Sequence, residues 1–360
     1  MKVKTPNKTT RTAPAGFWRR HRRLWWWLGG IVAGILILCI IAAIWFRLSP
    51  WPGAMVIRYV FEKEGAKTAA GLEEHAPASG VAIISDQQYK AGDTDALLDV
   101  YMPDSAQAGG QKLPVIIWTH GGAWLSGDKT DAAGYYKLLA QAGFVVVAPN
   151  YSLAPQHTYP LPVHQLNTAH AYILENAERF HADTDNIILA GDSAGSQLSS
   201  QLAVIITNPA YAQEVGIVPS LLPAQLKGVV LSCGIYKMEE LAHPAAASRL
   251  LGWGSDVTVW AYSGTNDFSA PVIRQMSPYY YVTRNFPATF ITGGNADPLT
   301  DVQSRPFAAV LSALGVSVTS LFYEPNHSPG LPHEYQFNLD NADGQNALQQ
   351  IIAFARTRTQ

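Results

Sequence analysis

Ser193 lies between two glycines in Gly191-Asp192-Ser193-Ala194-Gly195, a spacing that suits a nucleophile carried on a sharp turn from strand to helix. Residues 186–190 are largely apolar and β-branched, and residues 197–204 place their apolar side chains at helical spacing. Small neighbours let strand and helix approach each other while the serine is held in a strained backbone conformation. A serine hydroxyl is a poor nucleophile at its ordinary pKa, so a base must take its proton and an acid must orient the base. Acyl transfer also builds negative charge on a carbonyl oxygen, where each fixed donor is worth a factor of roughly 100 to 1000. His120-Gly121-Gly122-Ala123-Trp124 follows the apolar run 113–119 and can aim bare backbone N–H groups at such an oxygen. The N–H of Ala194 would face it from the other side.

The acid and the base are expected after the serine, in that order. Residues 287–294 read as a core strand with a glycine-rich exit, and Asp297 stands just beyond it, where the acid belongs. Asp301 is the alternative, but it falls in the first turn of a helix running through Phe307 to Leu314, where a carboxylate suits the dipole. Two histidines follow, His327 just after the strand 316–323 and His333 further along a loop marked by Pro325, Pro329, Gly330 and Pro332. His157, His164, His170 and His181 precede the serine on loop or helical segments and read as surface residues.

Four segments together resemble the α/β-hydrolases of the hormone-sensitive-lipase type, which include bacterial acetyl esterases. They are His120-Gly121-Gly122-Ala123-Trp124, Tyr151-Ser152-Leu153-Ala154-Pro155-Gln156-His157, Gly191-Asp192-Ser193-Ala194-Gly195 and Asp297-Pro298-Leu299, in the family's order within residues 95–340. The resemblance implies ester hydrolysis through Ser193, Asp297 and a histidine that starts the last helix and is followed by an aromatic residue. His333, with Tyr335 and Phe337 behind it, fits that description better than His327. It also implies an oxyanion hole of Gly121, Gly122 and Ala194. Ala123 stands where the family has a third glycine, which leaves open which two of Gly121, Gly122 and Ala123 donate. Ser152 and Gln156 replace the usual arginine and glutamate, so local salt bridges of that segment are in doubt.

These residues must be positioned by a sheet. Short apolar runs at 81–84, 96–101, 114–119, 144–149, 187–191, 227–232, 288–293 and 316–323 alternate with helical stretches, which predicts a mostly parallel, eight-stranded α/β sheet with helices on both faces. Residues 81–360 form the catalytic domain in this reading, and the resemblance makes it an α/β-hydrolase fold with a small cap. Residues 47–80 read as a stalk plus part of a cap, and the excursion 234–276, with Leu251-Gly252-Trp253-Gly254, as a pocket-lining insertion.

Residues 24–46 hold 23 positions without a charge, about 34 Å as a helix and enough to cross a bilayer core of about 30 Å. Tryptophans at both ends and Arg19, Arg20, Arg22 and Arg23 just before it predict a transmembrane signal anchor behind a basic cytoplasmic tail, residues 1–23, with the rest outside. A cleaved signal peptide would have a shorter apolar region and a small-x-small site, whereas this one runs on to Trp45-Phe46-Arg47. Eight of the 25 Lys and Arg lie in the first 23 residues; the remaining 17 face all 27 Asp and Glu, a net charge of −10 over residues 47–360. That part carries no nucleic-acid footprint. Cys39 and Cys233 predict no intrachain disulfide, and no cofactor or metal is expected, since neither cysteine has His or Cys neighbours in sequence. The expected partners are a small-molecule or glycan ester and the lipid bilayer through residues 24–46. A deacetylase or feruloyl-type esterase on envelope or plant polysaccharide, and a catalytically silent hydrolase fold used for binding, are the alternatives.

Overall fold

The computed structural model describes Lys2, residues 21–241 and residues 249–360. Two compact units divide the chain, Met1–Ser49 and Pro50–Gln360. In the first, helix α1, Arg22–Leu48, is exposed along its length and has a mean hydropathy of 2.7 over its most apolar window. That length and composition suffice to cross a membrane, and a signal sequence would meet the same test. Most of the basic tail lies outside the described residues.

The second unit is built on eight strands: β1 Val81–Gln88, β2 Leu97–Pro103, β3 Leu113–Thr119, β4 Val145–Pro149, β5 Ala182–Asp192, β6 Leu226–Ser232, β7 Thr289–Gly293 and β8 Val318–Phe322. They pair in the order β1-β2-β4-β3-β5-β6-β7-β8. β1 and β2 are antiparallel to their neighbours, and β3 through β8 are parallel. Alternation along each central strand sends side chains to two separate cores. Ile117, Leu189 and Leu231 point to one, and Ile116, Trp118, Ile188 and Val230 to the other.

The helices that cover these cores are α2 Trp51–Glu74, α3 Asp104–Gly109, α4 Ala133–Gln141, α5 Leu161–Glu175, α6 Ala194–Thr207, α7 Pro209–Val215, α8 Met238–Leu241, α9 Arg249–Ser263, α10 Pro271–Gln275, α11 Arg305–Ala313 and α12 Ala342–Thr359. α5, α6 and α11 close the first core through Leu166, Leu198 and Phe307, while α4 and α12 close the second through Leu139 and Ile351. Every residue of α6 is buried, which explains why its sequence is apolar or small nearly all round. Residues 51–74, within the segment read as a stalk plus part of a cap, form one 24-residue helix, α2. It buries Gly53, Ala54, Ile57 and Leu72, and Gly53 lies against Trp253 and Val257 of α9, so close that a Cβ there would need those side chains to shift. The expected insertion 234–276 supplies α8, α9 and α10, and its residues 242–248 lie outside the described ones.

Candidate active site

β5 runs straight into α6, and Ser193 occupies the corner with φ 50° and ψ −119°. A left-handed backbone at a residue with a Cβ is strained, and it turns the hydroxyl out of the sheet edge. The flanking glycines are required by space: a Cβ on Gly195 would collide with the Thr119 carbonyl, and one on Gly191 with the backbone of Gly195. The Ser193 N–H donates to the Ser232 carbonyl at 2.8 Å, which ties the corner to β6.

His333 reaches this serine from the loop before α12. Its Nε2 lies 2.9 Å from Ser193 Oγ and its Nδ1 2.8 Å from Asp297 Oδ2. With the proton on Nδ1 donated to the carboxylate, Nε2 presents a lone pair to the hydroxyl. Asp297 stands three residues past the Gly294 exit of β7, is 5% exposed, and accepts the Leu299 N–H through Oδ1 at 2.9 Å. Burial pushes the imidazole down, but Asp297, Glu334 and Asp192 together outweigh it and lift His333 to about 9.

His327, six residues earlier, has its Nε2 2.8 Å from Asp343 Oδ2 and its ring 4.6 Å from that of Tyr323. Asp301 is exposed and pairs with Arg305 at 2.9 Å. The structure therefore brings Ser193, His333 and Asp297 together and gives His327 and Asp301 other partners. The expectation for His170 is corrected: it is 1% exposed on the inner face of α5, and burial pushes its pKa down to about 4. His157 is about half exposed.

The loop after β3 carries three consecutive residues in the left-handed region, Gly122, Ala123 and Trp124. The Gly122 carbonyl accepts the Leu125 and Ser126 N–H groups at 3.0 Å each, which closes the turn. Trp124 anchors it, stacked on Tyr262 at 4.7 Å and donating to Gln197 Oε1 at 3.0 Å. Asp192 lies beside Gly121 and accepts from Trp118 Nε1 at 2.7 Å, and burial and then Glu334 push its carboxyl well above the usual range. Ala194 opens α6, where an N–H has no acceptor within the helix.

Three contributors escaped the sequence reading. Cys233, left-handed at φ 52°, places its Sγ within 4.8 Å of the ligating atoms of Asp297 and His333, contrary to the expectation that no histidine stands near it. Burial and then the Asp297 charge push this thiol well above its ordinary range. It is a protonated acceptor for the Glu334 N–H at 3.3 Å, and a metal bound by the trio would have to displace both the thiol proton and the His333–Asp297 hydrogen bond. Glu334, also left-handed, brings its Oε1 to 3.9 Å from His333 Nε2. Arg58 of α2 donates to the carbonyls of Leu125 and Ala154 at 2.5 and 2.7 Å and to Gln156 Oε1 at 2.7 Å. A guanidinium from another element thus meets Gln156, and Ser152 Oγ donates to Asp95 at 2.7 Å, so this segment is held without the family's usual pair.

Sheet order, serine corner and glycine loop define the class, an α/β-hydrolase. The profile of the BD-FAE family matches residues 98–311. Esterase LipC of Mycobacterium tuberculosis is 32% identical over 66% of this chain and 58% of its own length. Carboxylesterase NlhH of the same organism is 30% identical over 68% of this chain and 72% of its own. Among solved structures, esterase B from Lactobacillus Rhamnosis superposes with a TM-score of 0.74 at 19% identity, over 86% of this chain and 96% of that one. EstE1, a thermostable carboxylesterase from a metagenomic library, gives 0.66 at 21% identity, over 88% and 99%. The chain belongs to the BD-FAE family of α/β-hydrolases and is of the hormone-sensitive-lipase type. It spans somewhat more than half the length of LipC and LipQ, 58% and 56%.

Proposed function

We propose that this protein is a membrane-anchored serine carboxylester hydrolase acting on short-chain acyl esters. The observation that carries the reading is the position of His333, 2.9 Å from Ser193 Oγ and 2.8 Å from Asp297. In this mechanism Nε2 takes the hydroxyl proton as Oγ attacks the ester carbonyl, and Asp297 keeps the imidazole in the required tautomer and stabilises the imidazolium. The N–H groups of Gly121, Gly122 and Ala194 hold the developing oxyanion, with Ala123 the further candidate. The leaving alcohol takes the proton from Nε2, and water then releases the acid by the same steps. α1 serves as an uncleaved anchor, with the arginines before it on the cytoplasmic side and the hydrolase outside.

The test is turnover of a p-nitrophenyl ester series from acetate to palmitate by the detergent-solubilised full chain, beside Ser193→Ala. Hydrolysis that peaks at short acyl chains and vanishes in the variant is the expected result. A folded wild-type chain inert toward the whole series, or a variant as active as wild type, would overturn the proposal.

A further inference from the structure

A cavity of about 340 Å³ opens beside His333 and the Gly121–Gly122 turn, and Phe61 and Glu64 of α2 form its far wall. Its polar lining combines acidic side chains with the hydroxyls of Thr68, Ser126 and Tyr136 and the His333 imidazole. Asp131, Asp192 and Glu334 contribute three carboxyl groups, of which burial and then Glu334 push Asp192 well above the usual carboxylate range, and no lysine or arginine lines it; Glu64 at the rim is already matched by Lys67 at 2.7 Å. Asp192 and Glu334 flank Gly121, where an added Cβ would meet both carboxylates.

A second observation is independent of these acids. His120 lines the same cavity, is 3% exposed, and its Nε2 has no hydrogen-bond partner among the described residues. Its Nδ1 lies 3.0 Å from the Gly121 carbonyl, so the proton sits on Nδ1 and Nε2 is a bare acceptor. The ring is fixed by stacking on Tyr151 at 4.4 Å, so it cannot swing away to find a donor. Burial, opposed by Asp131, keeps this imidazole below its ordinary pKa and hence neutral. A buried acceptor left without a donor is destabilising, and a ligand's donor would relieve that.

The geometry points to this cavity as the subsite for the leaving alcohol, shaped for one that carries a protonated amine. The inference rests on the ester-hydrolase reading. The leaving oxygen takes its proton from His333 Nε2, so the group 3.9 Å from that nitrogen, Glu334, adjoins the alcohol half of the substrate. An ammonium N–H supplies the donor that His120 Nε2 lacks, and its charge offsets Asp131 and Glu334 when His333 is in its neutral, reacting form and the lining holds no cation.

The test compares three butyrates on the full chain: dimethylaminoethyl butyrate, protonated at neutral pH; isopentyl butyrate, its uncharged isostere; and the glyceryl monoester, which donates hydroxyl hydrogen bonds without charge. The expected kcat/KM is at least about tenfold higher for the ammonium ester than for its isostere at low salt, with the ratio falling in high salt. Asp131→Asn and Glu334→Gln should each lower that ratio roughly fivefold, the first in a residue remote from Ser193. A ratio at or below one overturns the inference, as does a glyceryl ester preferred over the ammonium ester with no response to either variant. Loss of turnover on all three butyrates would instead sink the ester-hydrolase reading itself.

Discussion

His333 and His327 lie six residues apart on one proline-rich loop, and each has a ring nitrogen 2.8 Å from an aspartate. Only the first has a hydroxyl on its other nitrogen. Asp297 is buried, whereas Asp343 is a first-turn residue of α12 whose N–H is capped by Asn341, in a setting that suits a carboxylate near a helix N-terminus. A histidine–aspartate pair is therefore no mark of chemistry by itself. What distinguishes the two is the strained serine delivered by a different element 140 residues earlier in the chain.

The largest effect expected from breaking this contrast is Ser193→Ala, a loss in kcat on the order of a million-fold by the precedent of other serine hydrolases, with an unchanged thermal unfolding curve. Asp297→Asn should cost about ten-thousand-fold in kcat, because the imidazole then presents the wrong tautomer to Ser193. A small effect there beside a large one at Asp301→Asn would reassign the acid. The pH profile sharpens the comparison further. The reacting form of His333 is neutral, and its pKa is raised to about 9, so kcat/KM should climb about tenfold per unit toward that value and level off above it. Glu334→Gln removes a charge that favours the imidazolium, and the inflection should move down by roughly half to one unit. An unmoved inflection would take Glu334 out of the site's electrostatics. The smallest change belongs to the other histidine: His327→Ala should leave kcat within about twofold and lower stability by no more than about 1 kcal/mol, the scale of a partly exposed pair.

Strands and the serine corner were readable because their signals are local. Val145, Val146 and Val147 form a strand that is buried on both faces, and such strands read as apolar runs. The glycines around Ser193 report a backbone that no other residue could follow. Asp297 was legible for the same reason, since it follows a strand exit directly. The choice between the two histidines was not, because it depends on how a loop returns across the sheet edge, and only the family resemblance favoured His333. Glu334 and Cys233 escaped notice because their roles follow from left-handed backbones at residues that do not advertise them. α2 as one continuous helix was not legible, because a helix that buries mainly glycine, alanine and one isoleucine over its first two turns lacks a strong apolar stripe. His170 was misplaced because two polar residues, Gln165 and His170, share the buried face of α5, and a polar side chain there reads as a surface one.

Arg58 fastens α2 to the loops after β3 and β4 by three hydrogen bonds, Glu73 pairs with Lys137 of α4 at 2.6 Å, and Ile57 and Leu72 pack into the two cores. The wall that carries Phe61 and Glu64 is thus contributed by a stretch of chain that holds none of Ser193, Asp297 and His333. One side of the cavity and the group Ser193, Asp297 and His333 are thus carried by separate passages of the gene. Substitutions at Phe61 or Glu64 can reshape that side without altering any of those three side chains.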